Sequence, residues 1–150
     1  MSLINSLFSE TIKIQQLTVE GLGAQDYPDA GSFIPVRGLH RFAFLVGVGA
    51  VDSELTLKIQ QANAVDGTPK DLSEDPDTIV VNASAGDNKW YILECEVGQL
   101  DMNNGYDHVL IDVAGAAGAD DVGAIFFLGY GNRVPVTQGD DFGGASITVG

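Results

Sequence analysis

The sequence predicts an all-β domain: an antiparallel two-sheet sandwich, jelly-roll-like, with extended N- and C-terminal arms. Three observations predict it. Apolar residues alternate with a period of two through most of the chain, they nowhere recur at i, i+3 and i+4 over two turns, and 19 glycines disfavour long helices. Short strands separated by turn-rich segments bury their apolar sides most economically as two packed sheets. The 150 residues are expected to form one domain, with an N-terminal arm and loop at 1–34, a sandwich core at 35–130 and a C-terminal arm at 131–150. A chain of this length removes roughly 70% of its unfolded surface from water, so its 45% hydrophobic content can build a core without metals or disulfides.

The first 34 residues combine an apolar start, the loosely alternating IKIQQLTVE and the Gly-, Asp- and Pro-rich GLGAQDYPDAGSF, which reads as one strand and a long loop. LHRFAFLVGV (39–48) sets Phe42, Phe44, Val46 and Val48 on one side and Ala43 and Leu45 on the other, as a buried strand does. ELTLKIQQA (54–62) turns Leu55, Leu57 and Ile59 inward and Thr56, Lys58 and Gln60 outward. NAVDGTPKDLSEDPD (63–77) carries an Asp-Gly, two prolines and six charged side chains, and is expected to be a surface loop. Strands follow at TIVVN (78–82), at KWYILECEV (89–97) with Tyr91, Leu93, Cys95 and Val97 on one face, and at YDHVLIDV (106–113). Asn104-Gly105 ahead of the last is a tight-turn signal, because both residues tolerate positive φ. AGAAGADD (114–121) reads as a crossover and VGAIFFLGY (122–130) as the sixth central strand. The tail to residue 150 offers only the short strand ASITV.

Seven cations against 21 carboxylates give a net charge of −14, and the cations are scattered, so no basic stripe exists for a nucleic-acid backbone. The longest apolar run, FAFLVGVGAV, is about half the ~20 residues of a membrane helix. MSLINSLFSETIK does not read as a secretory leader, so synthesis in a cytoplasm is expected. Neither nucleic acid nor membrane is an expected partner. The single Cys95 excludes an internal disulfide and is expected to be a packed strand residue.

No catalytic, cofactor or metal site is expected. GVGAVD (47–52) has two glycines of a dinucleotide fingerprint but continues as a strand instead of opening a helix, and GLGAQD (21–26) lacks the preceding strand. The only histidines, His40 and His108, lie in predicted strands and read as hydrogen-bonded strand residues, not as bases. With one cysteine they have no zinc spacing. The carboxylate groups at Asp52 and Glu54, at Asp71, Glu74, Asp75 and Asp77, at Asp120 and Asp121, and at Asp140 and Asp141 read as solvated loop charge. DMNNG (101–105) puts its glycine one place too early for a calcium loop. Glu94 and Glu96 share a strand face that is more simply exposed than glycosidic.

The run LVGVGAVDSELTLKIQQANAVDGTPKDL through VVNASAGDNKWYILECEVGQLDMNNGYDHVLIDV resembles the capsid decoration, or cement, proteins of tailed bacteriophages, over about residues 39–113. The resemblance implies a β-sandwich on the outside of an icosahedral head. It would be made in the host cytoplasm, commonly trimeric, and bound to the major capsid protein by terminal arms. Apolar arm residues are the contact candidates for the capsid or between subunits: Leu3, Ile4, Leu7, Phe8, Ile12 and Ile14 at one end, Val134, Val136, Ile147 and Val149 at the other. Each is equally open to ordinary packing within the domain. Trp90 reads as an interface residue or a core residue alike. The negative charge requires any oligomer to meet through neutral segments. Two other readings are a phage tail or head–tail connector component and, from a different class, a carbohydrate- or calcium-dependent adhesion module.

Overall fold

The computed structural model describes residues 11–18, 24–74, 76–115 and 122–131. The strands are β1 (Ile12–Thr18), β2 (Asp26–Tyr27), β3 (Ile34–Pro35), β4 (Arg41–Val48), β5 (Leu55–Ala62), β6 (Lys70–Asp71), β7 (Ile79–Val81), β8 (Trp90–Glu96), β9 (His108–Gly115) and β10 (Val122–Tyr130). They form two antiparallel sheets. The first has the order β1-β10-β4-β8. The second has the order β2-β9-β5-β6, with β3 also pairing β9 and β7 also pairing β5.

This order follows from one nested pattern of pairing. β1 pairs β10, β2 and β3 pair β9, β4 pairs β8, and β5 pairs β6 and β7, so the chain is one long hairpin closed from its middle outward. Rolling that hairpin puts alternate pairs into opposite sheets, a jelly-roll arrangement; the two-sheet sandwich is what the periodicity predicts.

The six predicted central strands are all present. Asn104-Gly105 does turn the chain, with Gly105 in the left-handed region at φ 82° closing a 3-10 turn at Met102–Asn104. The connection is not a hairpin, however. It carries the chain from β8 in the first sheet to β9 in the second, through a further 3-10 turn at Val97–Gln99.

Two segments take more part in the sheets than their composition suggests. Within 1–34, Tyr27, Phe33 and Ile34 are at most 1% exposed, because β2 and β3 lie against β9 and carry isolated apolar side chains into the interior. Within 63–77, β6 is drawn onto β5. Gln60 Nε2 donates to Asp71 Oδ1 at 2.8 Å, and Lys58 Nζ stands 2.8 Å from the same oxygen. Gln61, 1% exposed, is a clamp: its Nε2 donates to the Asp71 carbonyl (3.1 Å) and its Oε1 accepts the Asp101 N–H (2.8 Å).

The core lies between the sheets. Phe42, Phe44 and Phe127 form its centre, with ring centroids 5.6–6.0 Å apart in stacked and edge-on contacts. Val46, Leu93 and Ile125 extend it from the first sheet, and Leu55, Leu57, Ile59, Ile111 and Val113 face it from the second. Phe44 is fully buried, so Phe44→Ala should destabilise the fold by about 3–5 kcal/mol. Denaturant unfolding at unchanged m-value measures it. A loss below about 1 kcal/mol would show that the aromatic centre is not what joins the sheets.

Candidate functional site: the outer face of the first sheet

Residues directly opposite one another in a sheet share a face, so the register of the first sheet defines its outer surface in four cross-strand rows. The rows are Ile12, Tyr130, Arg41 and Glu96; Ile14, Leu128, Ala43 and Glu94; Gln16, Phe126, Leu45 and Ile92; and Ala124, Gly47 and Trp90. All but four of these side chains are apolar or aromatic. Charge is confined to Arg41, Glu94 and Glu96, where Arg41 Nη2 is paired with Glu96 Oε1.

Among the described residues this surface is only partly buried. Ile12, Ile14, Leu45, Phe126, Leu128 and Tyr130 are half-buried, while Trp90 and Ile92 are 58% and 63% exposed. Three of the predicted contact residues, Ile12, Ile14 and Trp90, thus lie on one face, at its opposite edges. Leu3, Ile4, Leu7, Phe8, Val134, Val136, Ile147 and Val149 lie outside the described residues, as do Asp120, Asp121, Asp140 and Asp141. Trp90 does not enter the core. Its ring lies across Gly47, where a Cβ would stand 2.7 Å from Trp90 Cη2, so the absence of a side chain at Gly47 is what lets the indole lie flat.

The second sheet presents a different outer surface. Lys58, Asp112 and Asp26 form one row, and Lys58 Nζ lies 2.8 Å from Asp71 and 3.7 Å from Asp112. A small cluster of Phe33, Ala62 and Leu110 lies beneath a loop held by the Gly31 and Phe33 N–H groups on the Val65 carbonyl. Burial, then the Asp112 carboxylate beside it, raise the pKa of Asp26. The hydrogen bond from Gln60, then Lys58, lowers that of Asp71. At Asp107, burial acts upward but Arg37 and His108 outweigh it and the net shift is downward.

Several other polar groups are held within the domain. Arg37 donates to Asp107 at 2.9 and 3.1 Å, and His108 Nδ1 lies 2.7 Å from the other Asp107 oxygen, as expected of a strand histidine. Lys70 Nζ reaches Asp101 at 2.6 Å and lies 3.7 Å from the Tyr106 ring centroid. Cys95 is buried, with Sγ 3.3 Å from both the Glu96 carbonyl and Gln99 Oε1, and burial pushes its thiol up to about 11. That is the environment of an inert thiol. Among the described residues no three His, Cys, Asp or Glu side chains converge on a point that could hold a metal ion.

A cavity of about 380 Å³ lies between the sheets beside β8, lined by Ile59, Leu72, Ile79, Leu93, Cys95 and residues of the 73–78 loop. Neither it nor the apolar outer face was singled out from the sequence. The face did leave a signal: β4 and β10 are apolar at both parities, and a sandwich buries only one.

No family model and no curated protein matches the chain. Among solved structures it is similar to the coat protein of Tobacco streak virus in a C2 crystal form, at 15% identity and TM-score 0.38 over 92% of this chain and 96% of that one. It is also similar to the Tobacco streak virus coat protein dimer, at 14% identity and TM-score 0.36 over 88% and 92%. These are loose likenesses, and no role of this chain follows from them.

Asp26 gives a prediction with a definite sign. Its folded pKa is raised, so the unfolded chain ionises first, and stability falls as pH rises from about 4 through the folded value. Asp26→Asn should therefore raise the unfolding midpoint at neutral pH, with the gain vanishing in acid. Thermal unfolding across pH checks this, and a destabilised variant at neutral pH would show that the Asp26 carboxylate is held by favourable contacts instead. Asp71 and Asp107 act oppositely, their contribution being lost as pH falls through their lowered values.

Proposed function

We propose that this chain is a structural virion protein that binds the outside of an assembled bacteriophage capsid and stabilises it, as a trimer on the major capsid protein. The observation that carries this reading is the apolar outer face of the first sheet on a chain of net charge −14. Contiguous apolar surface of this kind marks an interaction site, and such strong charge keeps free copies apart except where carboxylates are excluded. The sequence resemblance to decoration proteins over about residues 39–113 supplies the kind of partner.

The mechanism is adhesion. Binding the assembled shell but not its dissociated subunits stabilises the shell by RT ln(1 + [L]/Kd) at each site. Apolar burial supplies affinity, about 25 cal/mol for each Å² removed from water before the costs of association. The carboxylates outside the face act on specificity and solubility. The predicted arm contacts would add to the same attachment, since Ile12 and Ile14 already lie on this face.

Two measurements test the reading. Quantitative protein analysis of purified phage particles should find this chain at a copy number comparable with the major capsid protein; a head–tail connector would be present in far fewer copies, and absence from particles would end the proposal. Rebinding to stripped particles should fall at least tenfold for Trp90→Glu, an exposed position, and for Phe126→Glu, with the unfolding midpoint of Trp90→Glu unchanged. Undiminished binding by both variants would remove this face from the attachment.

A further inference from the structure

Among the described residues β8 is an edge strand, paired with β4 alone. Val48 donates its N–H to the Lys89 carbonyl (2.9 Å) and Val97 donates to the His40 carbonyl (3.0 Å). These two bonds fix the alternation along the β4–β8 ladder. Tyr91, Leu93 and Cys95 turn their backbone groups toward β4, and Trp90, Ile92, Glu94 and Glu96 turn theirs away. Glu96 is satisfied locally, its N–H donating to Gln99 Oε1 at 3.1 Å and its carbonyl accepting from the Cys95 thiol. For the backbone of Trp90, Ile92 and Glu94 no hydrogen-bond partner exists among the described residues.

Two of the features that blunt a sheet edge, a proline and a bulge, are missing at β8, whose charged residues are Glu94 and Glu96. Trp90 and Ile92 are the most exposed large apolar side chains of the first sheet. The 380 Å³ cavity lies beside this edge, lined by the apolar Ile59, Leu72, Ile79 and Leu93 and by polar residues that include Asp77, Glu94 and Gln99. A strand added beyond β8 would point every second side chain into that gap and the others along the outer face, beside Glu94.

We propose that β8 takes up an extended segment of another polypeptide, one with aliphatic residues at alternate positions and a lysine or arginine between them. The aliphatic side chains pack on Ile59, Leu72, Ile79 and Leu93, and the cation meets Glu94, which borders the cavity as well as the outer face, with Asp77 in the same lining adding to the negative field. A second copy of β8 fits the same edge less well. Its inward residues, Leu93 at 7% and Cys95 at 5% exposure, are already used in its own core and cannot enter the cavity.

The probe is a synthetic nine-residue peptide of valines alternating with threonine and lysine, and the readout is amide hydrogen exchange on the full chain. Millimolar peptide should slow exchange at Trp90, Ile92 and Glu94, and a version N-methylated at alternate residues should not. Ile92→Pro removes an N–H that β4 does not use, so it should weaken peptide binding at least tenfold with the unfolding midpoint preserved. Glu94→Lys should reverse the preference, from the lysine peptide to one with glutamate in its place. The proposal is overturned by unchanged exchange at those amides, by equal binding of the N-methylated peptide, or by their protection in concentrated peptide-free protein together with a doubled solution mass. This site stands apart from the shell reading: a chain that takes the peptide but ignores particles would sink only that reading.

Discussion

Everything in this molecule depends on the contact between the two sheets. Phe42, Phe44 and Phe127 from one side and Leu55, Leu57, Ile111 and Val113 from the other must be brought together before any of them leaves water. Because side chains alternate along a strand, committing these residues to the interior fixes every other residue to the outside. The character of both outer surfaces is a by-product of that commitment. In the second sheet the by-product is Lys58, Asp112 and Gln60. In the first it is Leu45, Phe126, Leu128 and Ile92, and a chain with this charge has no solubility reason to place them there.

That contrast ties the functional reading to the fold. The outer side of the second sheet carries a small apolar cluster and the ion pairs of Lys58, with Val80 exposed on β7. The first sheet has an apolar outer side that the described residues leave part-covered, together with an edge and a cavity that a further strand would complete. Both proposed docking surfaces therefore fall on the first sheet, one on its outer face and one at its β8 margin.

The sequence made the long strands legible because each carries enough residues for a period of two to stand out. It did not show β2, β3 or β6, which are two residues long and set among Gly, Asp and Pro. Nor did it show that Tyr27 and Phe33 are core, since a lone aromatic in a polar stretch has no period to read. β6 is held by Gln60, Gln61 and Lys58, whose partner Asp71 lies about ten residues away in a segment whose charges argue for solvent. The candidate face was half legible. Ile12, Ile14 and Trp90 could be singled out one at a time, but their common face depends on β1 lying beside β10 and β8 beside β4, which is a matter of topology and not of local pattern. The cavity was not legible at all, because a gap between sheets belongs to no segment.

The nested pairing also decides how the domain bears mechanical load. Ile12 and Tyr130 are opposite one another at the outermost described rung, so a pull applied at these two residues peels β1 from β10 one rung at a time instead of shearing all rungs together. Peeling is the weak direction of a β-ladder. Tension is resisted far better when it is spread across the broad side of the sandwich, where each strand is backed by the aromatic interior, and a scaffold of this shape is suited to being pressed and held flat, not to being strung between two anchors.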